Sequence, residues 1–304
     1  MNTSVSVIVS VDELPDGWSA REAEPLPPWR GVLMVSPEHF RVAYAINPHM
    51  RDADGGLQVV DPEKARAQWD ALGRVYESIG YPVSVLGGLD GLPDMVFAAN
   101  QSFPFPRDGG EGVLLSRMRH EQRAAEIPAF EDWFRGRGTF MVPRPDDAPY
   151  CEGAGDLLWV PGRRVLLGGY GFRTDREALD EVAAATGARV LALRLTDERF
   201  YHLDTCIAPL DGTRALWVPT AFDDSGTALL HRVFDRLIEV SEDEAANALA
   251  CNAHCPDGRS VIIEAAAEGT RRALEAEGFR VFPVETSEFL KSGGSVFCMK
   301  QMLF

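Results

Sequence analysis

Five amphipathic segments with helical spacing recur along this chain, and that repeat constrains its fold more than any other feature. The segments start near Asp61, Glu121, Thr174, Gly226 and Glu268. Successive starts lie about 40 to 60 residues apart, close to the range of repeat units. Four of the five end near a glycine (Gly80, Gly138, Gly187 and Gly278) that suits the left-handed cap just past a helix. A short β-rich run follows each helix, at 82–86, 139–142, 190–195, 238–240 and 281–284. Two more strand-like runs usually precede the next helix, with 165–168 and 215–219 as examples. The unit is therefore about fifty residues of strand, strand, helix and strand. Each unit can bury its small sheet against its helix, and five of them can close in a ring. An open α/β sheet is the alternative, but the fixed order and similar unit lengths favour the ring.

Composition narrows the function. The net charge is −16 and no run of Lys or Arg occurs, so the field repels phosphate and anionic lipid. Nucleic acid and membrane partners are not expected, whereas a small cation would be attracted. The five cysteines, Cys151, Cys206, Cys251, Cys255 and Cys298, are odd in number and show no disulfide spacing, which points to reduced thiols and a cytoplasmic protein. No signal peptide is legible, since the alternating stretch 4–11 reads as a strand. No apolar run approaches the roughly 20 residues that span a bilayer. Acidic residues and prolines just before residue 28 read as a loop, with the role of that stretch open. Oligomeric state, including a homo-oligomer, is open as well.

Four of the five units carry unusual polar residues in the loop after the helix–strand pair. Asp94-Met-Val-Phe-Ala-Ala-Asn100 belongs to the first, Cys151-Glu-Gly-Ala-Gly-Asp156 to the second, Phe200-Tyr-His-Leu-Asp-Thr-Cys206 to the third and Ser292-Gly-Gly-Ser-Val-Phe-Cys298 to the fifth. In a ring these loops occupy equivalent places and converge. Together they supply thiols, an imidazole, carboxylates and an amide. A thiolate is a nucleophile, and a nearby imidazole or a cationic substrate raises its population. Carboxylates match the fork of N–H groups on a guanidinium. A histidine can protonate a leaving amine and then deprotonate a water. Singly, each has a plainer reading: Cys298 as a small buried hydrophobe, His202 as a core histidine, Glu152 and Asp156 as turn residues beside glycines, Asp204 as a turn residue, Asn100 as a strand-end acceptor. The joint pattern is what argues for chemistry.

These loops resemble the guanidino-group modifying superfamily, which includes arginine deiminases, dimethylargininases, arginine dihydrolases and amidinotransferases. The likeness runs from Met34-Val-Ser-Pro-Glu-His-Phe40 and Ile46-Asn-Pro48 to Gly293-Gly-Ser-Val-Phe-Cys298. It implies one α/β catalytic domain over 1–304, a pentein five-bladed α/β propeller with pseudo-fivefold symmetry. It implies Cys298 as nucleophile on the guanidino carbon, through a covalent thiouronium intermediate, with His202 as acid/base. Glu152 would assist His202 and bind guanidinium nitrogens, as would Asp204; Asp94 joins the binding set from its loop. Arg173, in Gly169-Tyr-Gly-Phe-Arg-Thr174, and Arg123, in Arg117-Met-Arg-His-Glu-Gln-Arg123, resemble positions that bind a substrate α-carboxylate. No cofactor and no metal are implied.

Two departures bear on the substrate. Asn100 stands where deiminases and dimethylargininases carry an Asp, and Asn100 with Asn47 looks like the arginine dihydrolases, which release two ammonias. Asp204 is absent from typical dimethylargininases and suits an unmethylated guanidinium. Arginine or a derivative is the expected small-molecule substrate. Amidino transfer to an amine and a non-catalytic binding protein of the same fold remain competing readings. A zinc site at Cys251, His254 and Cys255 would lack its fourth ligand.

Overall fold

The computed structural model describes residues 6–304. The chain forms five separate small sheets rather than one open sheet, in a mixed α/β arrangement. The repeat places them. Strands Ser102–Arg107, Gly110–Leu115 and Phe140–Met141 make the second unit, and Leu157–Trp159, Val165–Tyr170 and Arg189–Arg194 the third. Ile207–Pro209, Arg214–Trp217 and Arg236–Glu239 make the fourth, and Ser260–Glu264 with Arg280–Val284 the fifth. In each, the strand before the helix pairs parallel with the strand after it. The first unit, Gly31–Val35 and Val83–Leu86, is completed by the last strand of the chain. Gln301–Leu303 pairs antiparallel with it, Met302 facing Val32. The two ends of the repeat are thereby tied together.

The helices lie at Pro62–Ser78, Glu121–Ala124 with Ile127–Gly136, Ala178–Thr186, Asp224–Val233 and Glu268–Ala276. Apolar faces explain their placement. In the third unit Leu179 and Val182 of the helix pack with Leu166 and Val190 of the sheet, each such burial contributing about 2 kcal/mol. The second helix is broken near Pro128, whose ring removes a backbone donor and suits only a first helical turn. The third starts four residues later than its periodicity suggests. Thr174 and Asp175 hold a loop instead: the Asp175 amide donates to the Tyr150 carbonyl, and its carboxylate accepts from the Tyr150 amide at 2.9 Å. Within the stretch 249–264 one antiparallel bridge joins His254 to Ile262. Of the run 4–11, Val7–Ile8 adds an edge strand to the third sheet, while residues 4 and 5 lie outside the described residues. Among the described residues no helix is long and apolar enough to cross a membrane.

Five loops, one before the inner strand of each sheet, touch in sequence. The Ala154 amide donates to the Ala99 carbonyl, and the Ala99 amide to the Cys298 carbonyl. The Phe297 amide donates to the Asn252 carbonyl, and Asn252 Nδ2 to the Asp204 carbonyl at 3.1 Å. The Leu203 amide returns to Asp156 Oδ1 at 3.0 Å. That circuit visits all five units and closes.

Candidate active site

A small cavity opens where the five loops meet. Its wall includes Asn47, Asp94, Asn100, Arg123, Arg173, His202 and Cys298. Glu152 and Asp204 stand behind it, each bonded to a wall residue. All nine residues singled out from the sequence therefore belong to one cluster.

The thiol of Cys298 donates to Asp204 Oδ2 at 3.1 Å, and Asn252 Nδ2 donates to the sulfur at 3.2 Å. Burial, then the charge of Asp204, pushes the thiol well above its usual range. With no cation in the site, residue 298 is a thiol. Burial pushes Asp204 up to about 7, against the Cys298 hydrogen bond and the charge of Lys300. The other oxygen, Asp204 Oδ1, is buried without a partner.

His202 Nε2 lies 2.7 Å from Glu152 Oε2. Burial alone would raise Glu152, but the hydrogen bond and charge of His202, followed by Arg173, hold it at about 2. Glu152 Oε1 accepts from the Arg119 amide at 3.0 Å, and Oε2 also from Arg173 Nη1 at 3.3 Å. Both its oxygens are thus engaged by the protein, and it holds His202 and Arg173 in place. Arg173 lies over the Tyr201 ring, 4.7 Å from its centre, and Nη2 donates to the Ile46 carbonyl at 3.0 Å.

Arg123 is buried and ion-paired with Glu126 at 2.9 Å. Its remaining nitrogens reach Asn100 Oδ1 at 3.4 and 3.5 Å, which fixes the amide oxygen toward Arg123 and leaves Asn100 Nδ2 unpartnered. Asp94 accepts from Ser292 Oγ at 2.9 Å, and its Oδ2 is also unpartnered. Asn47 closes the site: Oδ1 caps the His49 amide at 3.0 Å and Nδ2 donates to the Ser292 carbonyl at 3.0 Å. Gly293 beneath it has φ +81°, and a side-chain carbon there would meet Tyr201 Oη at 2.7 Å and the Asn47 amide at 2.9 Å. Only glycine permits this approach.

Three side chains were missed by sequence reading. Asn252 accepts from the Ser295 and Cys298 amides, both at 3.1 Å, besides its two donations. It is the fourth unit's contribution, and the repeat itself was the signal: four loops carried polar residues and the fifth place had to be filled. Lys300, two residues beyond Cys298, and Tyr201, whose hydroxyl donates to the Gly293 carbonyl at 2.7 Å, carried no such signal. Asn252→Ala should leave two buried amides without acceptors and lower stability by about 2 to 4 kcal/mol; urea unfolding monitored by tryptophan fluorescence measures it. Cys251, His254 and Cys255 do not converge, and among the described residues no group of three or more such side chains has metal-binding geometry.

Five sheets, a closed circuit of loops and a buried thiol among carboxylates, an imidazole and arginines define the guanidino-group modifying enzymes. Within that class the chain belongs to the family described as N,N dimethylarginine dimethylhydrolase, eukaryotic, whose model matches residues 36–304. The class is that of amidinohydrolases. A dimethylarginine dimethylaminohydrolase of Mycobacterium tuberculosis is 40% identical over 90% of this chain and 85% of its own. A bifunctional arginine dihydrolase/ornithine cyclodeaminase of Nostoc is 37% identical over 88% of this chain; the match spans 37% of that longer protein. Among solved structures, a substrate-bound cysteine-to-serine variant of the N-terminal domain of ArgZ, a cyanobacterial arginine dihydrolase, superposes with a TM-score of 0.82. It is 36% identical, covering 89% of this chain and 97% of that one. These solved relatives share the pentein fold.

Proposed function

We propose that this protein hydrolyses the guanidino group of free arginine twice, releasing two ammonias, with Cys298 as nucleophile. Three unpartnered buried atoms carry the reading: Asp94 Oδ2 and Asn100 Nδ2 on residues of the cavity wall, and Asp204 Oδ1 just behind it, on the carboxylate bonded to Cys298. Two carboxylate oxygens without donors call for a planar cation rich in N–H groups. One amide donor without an acceptor calls for an oxygen, which a guanidinium lacks and a ureido group has. A site that must hold both in turn has this composition. Its binding residues are then Asp94, Asp204, Asn100, Arg123, Arg173 and Asn47.

The steps follow from the groups present. The cavity is only about 10 Å³, room for one water, so segment 46–50 lifts to admit substrate and Asn47 latches it afterwards. Arrival of the guanidinium beside Asp204 stabilises the ionised sulfur, which burial had disfavoured. The thiolate attacks the guanidino carbon, and His202, steadied by Glu152, protonates the departing nitrogen. His202 then takes a proton from water, which displaces the sulfur and leaves a ureido group. In a second round the thiolate attacks the ureido carbon, the second ammonia departs, and water releases the carbon as carbon dioxide with the free amine. Arg173 and Arg123 suit the substrate's carboxylate. In this reading residues 1–304 are one catalytic domain, the five sheets are blades around the site, and the enzyme is cytoplasmic and needs no cofactor. The tie between first and last units and the closed circuit of loops support the five-bladed propeller.

The deciding experiment counts ammonia per arginine consumed. Two supports the proposal, one makes the protein a deiminase, and none removes arginine as substrate. Dimethylamine from dimethylarginine with no ammonia from arginine would favour the reaction named for the mycobacterial relative. A pH profile tests the carboxylate. Asp204 must be ionised to receive a cation, and it is held at about 7. Hence kcat/KM should rise at least about tenfold per pH unit below 7 and more gently above it, where only the raised Cys298 thiol is left to ionise, measured at constant ionic strength.

A further inference from the structure

A second cavity, of about 60 Å³, lies behind the catalytic cluster, among the inner strands of the sheets. Its aromatic and aliphatic wall includes Trp29, Phe103, Trp159 and Phe297, and two cation- or donor-bearing residues, Lys300 and His254. Lys300 is 1% exposed. Among the described residues its ammonium has no hydrogen-bond acceptor and no ion pair within 4.0 Å; the Phe297 ring, 3.0 Å from its centre, is its near neighbour. Asp204 acts on this cation only at a distance, and a buried ammonium with no hydrogen-bonded partner is costly. His254 is 7% exposed, and its Nδ1 lies 2.9 Å from the Tyr76 hydroxyl. That hydroxyl is fully buried and has no other acceptor, so it donates to Nδ1 and the ring proton sits on Nε2. Nε2–H has no partner among the described residues. Trp159 Nε1, in the same wall, is a third unpartnered N–H.

We propose that this rear cavity binds a small planar oxyanion of the carboxylate type, held by Lys300 and the Nε2–H of His254. The wall has no carboxylate of its own; beside these three N–H donors it carries one unpartnered buried acceptor, Gln301 Oε1. Asp204 and the Cys298 sulfur are close enough to act on Lys300 electrostatically, but they face the catalytic cavity. Sixty cubic ångströms exceeds the roughly 15 Å³ one water occupies about fourfold, room for an ion of three or four heavy atoms. The aromatic walls exclude a hydrated ion, which favours a flat one that can lie against a ring. Burial pushes the Lys300 ammonium down to about 7 when the cavity is empty, and an anion there would restore its charge. The proposal is independent of the guanidino substrate, since none of these side chains contributes to the catalytic cavity.

The test is thermal melting and calorimetric titration of the full chain with formate, hydrogencarbonate and chloride at constant ionic strength. Saturable stabilisation by formate and hydrogencarbonate, stronger than by chloride, is expected. Lys300→Met should weaken it roughly tenfold or more, while removing a lone buried charge leaves the fold intact; His254→Gln checks the second donor. The titration is repeated on Cys298→Ser saturated with arginine, which fills the front site. Equal stabilisation of the parent protein and Lys300→Met, or an effect that vanishes once arginine occupies the front, would overturn the proposal: the cavity would then hold only water, or the anion would sit on Arg123 and Arg173. Stabilisation that persists with arginine bound and is lost in both variants would support it.

Discussion

Cys298→Ser should bind arginine about as tightly as the parent protein and release ammonia roughly 10⁴ to 10⁶ times more slowly. The retained binding follows from geometry. A serine hydroxyl can donate to Asp204 as the thiol does, and Asn252 can still bond the residue's backbone amide, so the cavity stays assembled. The lost turnover follows from acidity. The site already resists ionising a thiol, through burial and the adjoining Asp204 carboxylate, which outweigh the hydrogen bonds from Asn252 and Ser295, and the substrate's positive charge is needed to offset this. A hydroxyl is far harder to ionise than a thiol, and no arginine or lysine touches residue 298 to make up the difference. Calorimetry reads the binding and a coupled ammonia assay the rate. Turnover within about tenfold of the parent protein would remove Cys298 from the nucleophile's place. Labelling adds an independent check. A haloacetamidine, which carries the cation with it, should modify Cys298 first. Cys151 and Cys206 are fully buried and their thiols are raised by desolvation.

Much of this was legible before any coordinates, because a repeat multiplies a weak signal. A single helix–strand pair is ambiguous, but five in the same order leave few packings, and the sheets and helices fall where the spacing put them to within a few residues. The site was legible for the same reason, since equivalent loops meet. What was not legible depends on which partner a side chain finds across the ring. Asn252 sits in a stretch of alanines and cysteines that resembled metal spacing. Only its contacts, 43 to 48 residues away in sequence, reveal it as the support of Cys298 and its loop. Glu152 reads as an aid to His202 and a guanidinium ligand, and the structure adds its bonds to Arg173 and the Arg119 amide. Arg123 reads as a carboxylate receptor, and the structure adds that it orients Asn100 while Glu126 holds it. Lys300 was unreadable because a lysine just before a strand is normally on the surface.

Asn100→Asp should turn a two-ammonia reaction into a one-ammonia reaction, with citrulline accumulating. The first hydrolysis acts on a cation, and a carboxylate at residue 100 would join Asp94 and Asp204 in holding it, so the first rate should stay within about tenfold of the parent. The second acts on a neutral ureido group whose oxygen gains negative charge as sulfur attacks. In the parent protein Asn100 Nδ2 is an unpartnered donor at the cavity, free to bond that oxygen. Losing one such donor costs about 10²- to 10³-fold in rate, and a carboxylate facing the same oxygen adds repulsion. The new Asp would also pair with Arg123, whose guanidinium lies 3.4 Å from Asn100 Oδ1, and this would hold the carboxylate ionised across the working pH range. Asn100→Ala separates the two effects, because it removes the donor without adding charge and should slow the second step less than Asp does. Ammonia and citrulline measured through one time course give the ratio. If Asn100→Asp still yields two ammonias per arginine at the parent rate, residue 100 does not govern the second hydrolysis, and the dihydrolase reading loses its structural basis.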